Sequence, residues 1–282
     1  MGDSTAQAAR IEEALRFRFG QDVAVDPAWP GLDEVERIAT HRSQRAYSDR
    51  SVDDGLLEVL LACALSAPSK SDLQQGDIVV VREPHLRSAI ADLIPSMPWL
   101  REAPVFLVFC GNGRRLPQMA AWRGKPFPND HLDAFFNATV DAAIVMTTFL
   151  RAATAVGLGC CPISVLRNHS SAVSDLLALP PRVFPLAGLC VGYPAKEESI
   201  SPRLPLSITL HRDRYNEKAL EADLAAYDRR RADLQPIAQQ RNVEAFGTVE
   251  PYGWSEDKAR QYAAVQRADF GAFIRSKGFC LD

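Results

Sequence analysis

Residues 103–110 read APVFLVFC, an apolar run that no charged residue interrupts. Such a run predicts a β-strand that is buried on both faces. Three further segments rich in β-branched and apolar residues, 77–82, 160–166 and 184–193, predict three more strands. Helical patterns lie between them, but without the regular alternation that a doubly wound parallel sheet requires. The sequence therefore predicts an α+β fold with a mixed sheet.

The segments around these strands predict helices from the spacing of their apolar residues and from cap signals. Helices are expected over residues 5–19, 32–39, 56–67, 85–94, 132–156, 170–179, 217–240 and 255–276, with Ser51, Ser170 and Ser255 as N-caps. Residues 111–130 contain Gly, Pro and Arg and predict a long exposed loop. The two prolines and the glycine of residues 26–31 predict a linker, so that the first 30 or so residues extend outside the main fold.

Charge and composition exclude several classes of protein. The 282 residues include 32 Lys and Arg against 35 Asp and Glu, a formal net charge of -3, which is not the basic balance of a nucleic-acid-binding domain. Residues 132–156 are apolar, but they include charged side chains that disfavour a membrane span. No signal peptide is expected in residues 1–19. The sequence thus predicts neither a nucleic-acid partner nor a membrane partner.

Cysteines and histidines show no metal-ligand pattern. Six cysteines occur without a Cys-x-x-Cys motif, which fits a reducing cytoplasm, and the five histidines lack ligand spacing. The serines lack a nucleophile-elbow context, and no catalytic triad or carboxylate pair is found. We therefore expect no metal and no catalytic side chain.

Two basic features could bind an anion. Residues 41–45 read HRSQR and place guanidinium, hydroxyl and imidazole donors together, a set that suits a phosphate group. The alternative is a solvated basic turn. Arg203 lies between two prolines that would hold its backbone stiffly, although it could equally be an ordinary loop arginine.

Two further segments could bind a flat ligand. Residues 66–75, SAPSKSDLQQ, offer short polar side chains and backbone N–H groups, or form an ordinary loop between a helix and a strand. Residues 157–168, GLGCCPISVLRN, contain small residues that allow close backbone approach. The segment lacks a G-x-G-x-x-G pattern, so a Rossmann dinucleotide site is not supported.

Taken in order, these motifs resemble one family. HRSQR, APSKSDLQ, GLGxxxIxxLRN, GLCVGYP and PRLP are similar to motifs of the FMN-dependent nitroreductase superfamily, over about residues 36–279. The resemblance is strongest to the NADPH-dependent oxygen-insensitive nitroreductases and flavin reductases. It implies a nitroreductase-like fold with a mostly antiparallel sheet, assembled as an intertwined homodimer. It also implies an N-terminal extension (1–35), an FMN-binding core (36–205) and a C-terminal helical arm that packs on the dimer (206–282).

The resemblance also implies roles for individual residues. His41, Arg42, Ser43, Arg45 and Arg203 would hold the phosphate and ribityl chain of FMN. Ser69 and Ser71 would lie near the isoalloxazine ring bound by the other subunit, and Ile163, Ser164 and Val165 would present backbone N–H groups to its N5 and O4 edge. Hydride from NADPH, or NADH, would pass through flavin N5 to a small-molecule acceptor in a ping-pong cycle.

Several positions depart from the family pattern. Ser164 and Val165 stand where glycine is typical, Met97 where glutamine is typical, and Ser201 where lysine is typical. Asp72 is acidic where the family is apolar or small, which would disfavour anionic substrates.

Asp72, Met97 and Arg241 are the residues that we expect to face the substrate. Arg241 is a candidate for the 2′-phosphate of NADPH. Arginines 229–231 are a second candidate, although three arginines on a helix usually form a solvated face.

Three functions remain open at this point. The first is an NADPH-dependent FMN oxidoreductase that reduces nitroaromatics, quinones or free flavin. The second is a specialised flavoenzyme of the same superfamily that cleaves a carbon–halogen bond or uses oxygen. The third is a flavin-binding or protein-interaction module without turnover. In each case the expected partner is a second copy of the chain, and the expected location is the cytoplasm.

Overall fold

The chain is divided into two compact units, each assembled from distant segments. A computed structural model describes residues 2–282, with side chains from Ser4 onward. The first unit contains the chain up to Arg42 together with Ser199–Gln266, and we call it the helical unit. The second contains Ser43–Glu198 together with Arg267–Asp282, and we call it the sheet unit. The domain boundaries expected after residues 35 and 205 stay predictions.

The helices alternate with four strands along the chain. In order, the elements are α1 (Gly2–Phe19), α2 (Leu32–Ala39), α3 (Asp54–Leu65), β1 (Gly76–Val80), α4 (Pro84–Asp92), α5 (Trp99–Glu102), β2 (Val105–Asn112), α6 (Arg115–Trp122), α7 (Leu132–Ala155), β3 (Gly159–Ile163), α8 (Ser170–Leu176), β4 (Val183–Gly192), α9 (Leu206–Thr209), α10 (Leu220–Leu234), α11 (Val243–Phe246), α12 (Trp254–Tyr262) and α13 (Phe270–Ser276). Short 3₁₀ turns occupy Lys70–Asp72 and Ser164–His169.

The sheet has the order β1-β2-β4-β3, and each neighbouring pair is antiparallel. An isolated parallel bridge joins Ser43 to Cys160 of β3. The four predicted strands and the α+β class are confirmed. All ten residues of β4 are buried, because it lies between two other strands and both of its faces are covered.

Strand β2 separates two apolar clusters. Phe106 and Val108 point into one cluster with residues of α4, whereas Leu107 and Phe109 point into another with residues of α3 and α7. Successive side chains of a strand alternate between the two faces. The uninterrupted apolar run at 103–110 is therefore explained by burial on both faces, as predicted.

Helix α7 is long and apolar enough, by length and composition, to cross a membrane. Within the sheet unit, however, its Val145 and Phe149 pack in the apolar cluster that contains Leu107 and Phe109. Its Asp141 is buried and accepts hydrogen bonds from the backbone N–H groups of Lys70 (3.1 Å) and Gln75 (3.0 Å). These contacts are those of a core helix.

Two sequence predictions of helix starts are wrong. The N-cap of α3 is Asp53, whose carboxylate accepts from the N–H of Leu56 at 2.8 Å, and not Ser51. Ser170 is the first residue of α8, and His169 is its N-cap. Both expected caps lie within two residues of the observed ones, and at α3 this is because Ser51 and Asp53 offer the same sequence signal.

Two predictions of extent and one further predicted cap are also wrong. Residues 111–130 contain α6 instead of an unbroken loop, and proline 117 is tolerated in its first turn because the N–H groups there have no intrahelical partner. The expected helix 255–276 is two helices, α12 and α13, separated near Arg267, which has a φ of 55°. Ser255 is not the cap of α12, because it is the second residue of the helix and Gly253 is the N-cap; its hydroxyl and N–H donate to Asp228.

Candidate active site

The helical unit contains a cavity of about 640 Å³ lined by basic side chains. Arg18 of α1, His41, Arg203 and Arg231 of α10 lie along its wall, and no Asp or Glu of the described residues lines it. Tyr227 and Trp254 add aromatic surface, with their rings packed edge to face. A cavity with several cations and no carboxylate suits an anionic group.

His41 lies close to several of these positive charges. Burial, together with the guanidiniums of Arg18, Arg203 and Arg42, lowers its pKa below the usual value. These three arginines therefore lie close enough to His41 to act on its charge. Two of them, Arg42 and Arg203, are residues that the sequence predicted for the phosphate group.

The turn that carries Arg203 is held by backbone contacts on both sides. The N–H of Arg203 donates to the carbonyl oxygen of Arg18 at 2.6 Å. The carbonyl oxygen of Pro202 accepts from the hydroxyl of Tyr227 at 3.3 Å. The guanidinium of Arg203 remains exposed at the cavity wall.

The sheet unit carries the remaining residues of the HRSQR motif. Ser43 bridges to Cys160, and the N–H of Gln44 donates to the carbonyl oxygen of Cys160 at 2.9 Å, so the motif runs beside β3. A Cβ atom on Gly159 would come within 2.6 Å of the Gln44 side chain, which explains the glycine at this position. Arg45 lies 5.8 Å from the centroid of the Trp99 ring. Its convergence with Arg42 and Arg203 stays a prediction.

Strand β3 ends where the flavin edge is expected. Ile163 is the last residue of β3 and is buried, and Ser164 and Val165 begin the 3₁₀ turn that follows. No side chain of the described residues caps this turn. The first N–H groups of a helical turn lack intrahelical partners, so this segment can donate to a ligand.

The loop with Ser69, Ser71 and Asp72 has an unusual backbone. Ser71, Asp72 and Gln74 all adopt positive φ values, near 49°, 57° and 51°. Non-glycine residues rarely do so, and such positions concentrate at functional sites. Ser69 fixes the loop by accepting from the N–H of Gln74 at 3.2 Å, and it also lines a cavity of about 560 Å³.

Comparison with known proteins decides the family. The model of the Nitroreductase family matches residues 38–193, and that of the Nitroreductase family, C-terminal domain, matches residues 201–282. The chain belongs to the nitroreductase family. The predicted resemblance is confirmed. Helix α1 precedes the matched segments.

Individual relatives agree with this assignment. A Bacillus subtilis protein named FMN reductase [NAD(P)H] is 30% identical over 88% of this chain and 98% of its own length. The oxygen-insensitive NADPH nitroreductase of Salmonella typhimurium is 34% identical over 71% of this chain and 81% of its own length. The structure of B. megaterium NfrA2 has a TM-score of 0.79 and is 29% identical, covering 89% of this chain and 99% of that one. The nitroreductase fold expected from the sequence is thereby confirmed.

The donors of this nitroreductase-family chain fit the phosphate end of FMN. A phosphate monoester carries about two negative charges near neutral pH and takes several hydrogen bonds. Arg18 and Arg203 supply positive charge, and the ring of His41 supplies an N–H donor, at a cavity that no carboxylate of the described residues lines. The chemistry of the site and the family assignment therefore agree.

The residues expected to face the substrate lie in different surroundings. Met97 packs against the apolar cluster that contains Phe106 and Val108. Asp72 accepts a hydrogen bond from the side-chain amide of Gln74 at 3.0 Å. Arg241, in the helical unit, pairs with Asp257 at 2.9 Å. Their roles toward substrate stay predictions. Among the described residues, no group of three or more His, Cys, Asp or Glu side chains could hold a metal ion.

The structure also shows two arginines in roles that the sequence did not predict. Arg18 lies in the segment taken as an extension, yet it is only 6% exposed and lines the basic cavity. Arg230 belongs to the arginine run interpreted as a solvated face, but it is half-buried and donates to the carbonyl oxygens of Phe17, Arg18 and Arg203. That interpretation is wrong for Arg230. The spacing of apolar and charged residues predicts neither role, because both arginines donate to backbone carbonyl oxygens, which every residue carries.

Proposed function

We propose that this protein uses NADPH and a bound FMN to reduce small-molecule acceptors, namely nitroaromatics, quinones or free flavin. It is an NAD(P)H-dependent oxidoreductase with FMN as cofactor, in agreement with the sequence prediction. The structural observation that supports the proposal is the cavity lined by Arg18, His41 and Arg203, with Arg42 near enough to lower the pKa of His41. The choice of acceptor and the preference for NADPH over NADH belong to this proposal.

The chain's own residues would bind and orient the cofactor. His41, Arg42 and Arg203 would hold the phosphate, with Ser43 and Arg45 toward the ribityl chain. The N–H groups of residues 163–165 would address one edge of the ring, and Ser69 and Ser71 the ring of the other subunit. FMN, when bound, supplies the electron-pair transfer, so the protein needs no side-chain nucleophile.

The test begins with the absorption spectrum of the purified protein, with and without added FMN. We expect a flavin spectrum and oxidation of NADPH when menadione or nitrofurazone is present, faster than with NADH. Protein that stays colourless after incubation with FMN would contradict the proposal. Binding of FMN without NADPH oxidation by any acceptor would favour the non-catalytic module instead.

The specialised flavoenzyme keeps the same cofactor but changes the acceptor. The substitutions at Ser164, Val165, Met97, Ser201 and Asp72 motivated this alternative. Rapid turnover with a quinone or a nitroaromatic compound would argue against it. Turnover only with a halogenated aromatic compound, or only with oxygen, would favour it.

We also propose that the protein is a homodimer with α7 at its interface. Leu132 and Phe136 of α7 are 50% and 59% exposed, and they lie four residues apart on one helical face. An apolar patch on a helix of a folded protein commonly marks an interaction site.

Light scattering should give twice the mass of one chain, and Phe136→Glu should shift the protein toward monomer, whereas Lys125→Glu on the exposed loop should not. A monomeric mass for the wild-type protein would exclude the dimer. We also propose that residues 36–205 form the FMN-binding core, that residues 206–282 form the helical arm, and that the protein is cytoplasmic.

A further inference from the structure

The buried guanidinium of Arg18 joins the two segments that carry the basic residues of the cavity. Its Nε donates to the carbonyl oxygen of Ala39 at 2.6 Å, and a terminal nitrogen donates to the carbonyl oxygen of His41. The other terminal nitrogen donates to the carbonyl oxygen of Ser201 at 3.0 Å. One side chain thus ties the backbone before Arg42 to the backbone before Arg203.

The backbone of Arg18 makes a second connection to the same turn. Its carbonyl oxygen accepts from the N–H of Arg203 at 2.6 Å and from the guanidinium of Arg230 at 2.9 Å. Arg230 also donates to the carbonyl oxygens of Phe17 (2.8 Å) and Arg203 (2.9 Å). The last carbonyl groups of a helix have no intrahelical partner, so these bonds satisfy the end of α1 while holding Arg203 in place.

The end of α1 is shaped for this contact. Gly20 follows the helix with a φ of 71°, and a Cβ atom there would lie 2.7 Å from Nε of Arg230. Upstream, Ile11 and Ala14 of α1 pack with Leu32 and Ala39 of α2 in one apolar cluster. Helix α1 is therefore anchored both to α2 and to the turn at Arg203.

From these contacts we infer that Arg18 is a positioning residue for the phosphate end of the cofactor site, and that α1 clamps the two segments that bind the phosphate. The inference rests on the proposed binding of FMN. Helix α1 precedes the segments that match the nitroreductase family, so the clamp is a feature of this chain's own N-terminal segment.

The electrostatics support this role. Burial lowers the pKa of Arg18, and the neighbouring guanidiniums of Arg203 and Arg42 lower it further. The guanidinium of Arg18 donates to carbonyl oxygens, which carry no full charge. A phosphate dianion bound beside Arg203 would be attracted by this guanidinium and by that of Arg18, so ligand binding and the order of the clamp should support each other.

The test compares the dissociation constants of FMN and of riboflavin, which lacks the phosphate. Flavin fluorescence is titrated with wild-type protein, Arg18→Gln, Arg18→Lys and the control Arg16→Gln. Arg16 lies on the same helix, but it is exposed and pairs with Asp22. Circular dichroism and thermal unfolding establish that each variant is folded.

We expect Arg18→Gln to weaken FMN binding by about tenfold and to leave riboflavin binding unchanged, because the phosphate donors lose their fixed separation. Arg18→Lys should recover part of the loss, and Arg16→Gln should behave like the wild type. A folded Arg18→Gln protein with the wild-type ratio of riboflavin to FMN dissociation constants would overturn the inference.

If Arg18→Gln does not fold, Arg230→Gln takes its place. It removes the bonds to the carbonyl oxygens of Arg18 and Arg203 and leaves the buried guanidinium of Arg18 intact. A lowered ratio of riboflavin to FMN dissociation constants supports the clamp, and an unchanged ratio overturns it. Failure of the wild-type protein to bind FMN would remove the proposed function itself, which is a different result from FMN binding with unchanged variant ratios.

Discussion

One arginine in each unit donates hydrogen bonds from a buried or half-buried guanidinium to backbone carbonyl oxygens. The two arginines nevertheless have different roles. Arg18 donates to three backbone carbonyl oxygens in the helical unit. Arg87 of α4 donates to the carbonyl oxygens of Leu100 (3.2 Å), Ala103 and Pro104 (3.3 Å) in the sheet unit. Burial lowers the pKa of both groups.

Their surroundings differ in charge. The cavity of about 300 Å³ beside Arg87 is also lined by Asp54, which pairs with Arg82 at 2.7 Å. The cavity beside Arg18 is lined by Arg203, Arg231 and His41, and by no carboxylate of the described residues. Arg87 therefore joins α4 to the start of β2, near the ion pair of Asp54 and Arg82. Arg18 instead lies at a cavity lined by positive charge, which suits an anionic ligand.

The largest effect is expected at Arg87. Replacing it with Met should lower the free energy of unfolding by about 3 kcal/mol, because buried carbonyl groups lose their donors and the long side chain loses its packing. Chemical denaturation measures the loss. The exposed Arg82→Met variant is the control and should lose less than about 1 kcal/mol. A changed preference for FMN over riboflavin in Arg87→Met would show that Arg87 also affects the phosphate site, contrary to the purely structural role given to it here.

A smaller effect is expected at Arg203. Arg203→Ala should weaken FMN binding by about 2 kcal/mol through the loss of a charge-assisted phosphate contact, with little change in thermal stability. Fluorescence titration measures it, with the exposed Arg229→Ala as the matched control. Unchanged FMN affinity in Arg203→Ala would mean that the phosphate binds elsewhere.

The smallest effect concerns the pH dependence of the protein without FMN. The pKa of His41 is lowered on folding by burial and by Arg18, Arg203 and Arg42, so the unfolded chain takes up this proton at higher pH than the folded chain. Stability should therefore fall as the pH drops below the ordinary histidine value of 6.5.

The His41→Asn variant should lose that part of the slope in denaturation experiments between pH 8 and pH 5, a range centred on the ordinary histidine pKa. Adding FMN should also flatten the wild-type slope, because the phosphate offsets the neighbouring guanidiniums. Equal slopes for the variant and the wild-type protein would exclude a contribution from His41.

The strands could be predicted because their apolar runs report burial directly. Strand β2 extends from Val105 to Asn112, close to the predicted 103–110, and α2 has the predicted ends, Leu32 and Ala39. The cap of α3 could not be predicted, because Ser51 and Asp53 carry the same signal and only the folded backbone selects one of them.

The site could be predicted in part. The motifs located His41 and Arg203, which line one cavity, and Arg42, which lies near enough to lower the pKa of His41. Arg18 could not be predicted, because a guanidinium that binds carbonyl oxygens needs no particular neighbour in sequence. Its partners come from residues 21, 23 and 183 positions away, a pairing that only the fold creates.

The division of the helical unit between the chain up to Arg42 and Ser199–Gln266 has a consequence for biosynthesis. Proteins emerge from the ribosome N-terminal end first, and domains generally fold as units. Helix α1 is made before the tyrosine, arginine and tryptophan that complete the lining of its cavity. The phosphate end of the prosthetic group can therefore be held in this cavity only after Trp254 has been translated.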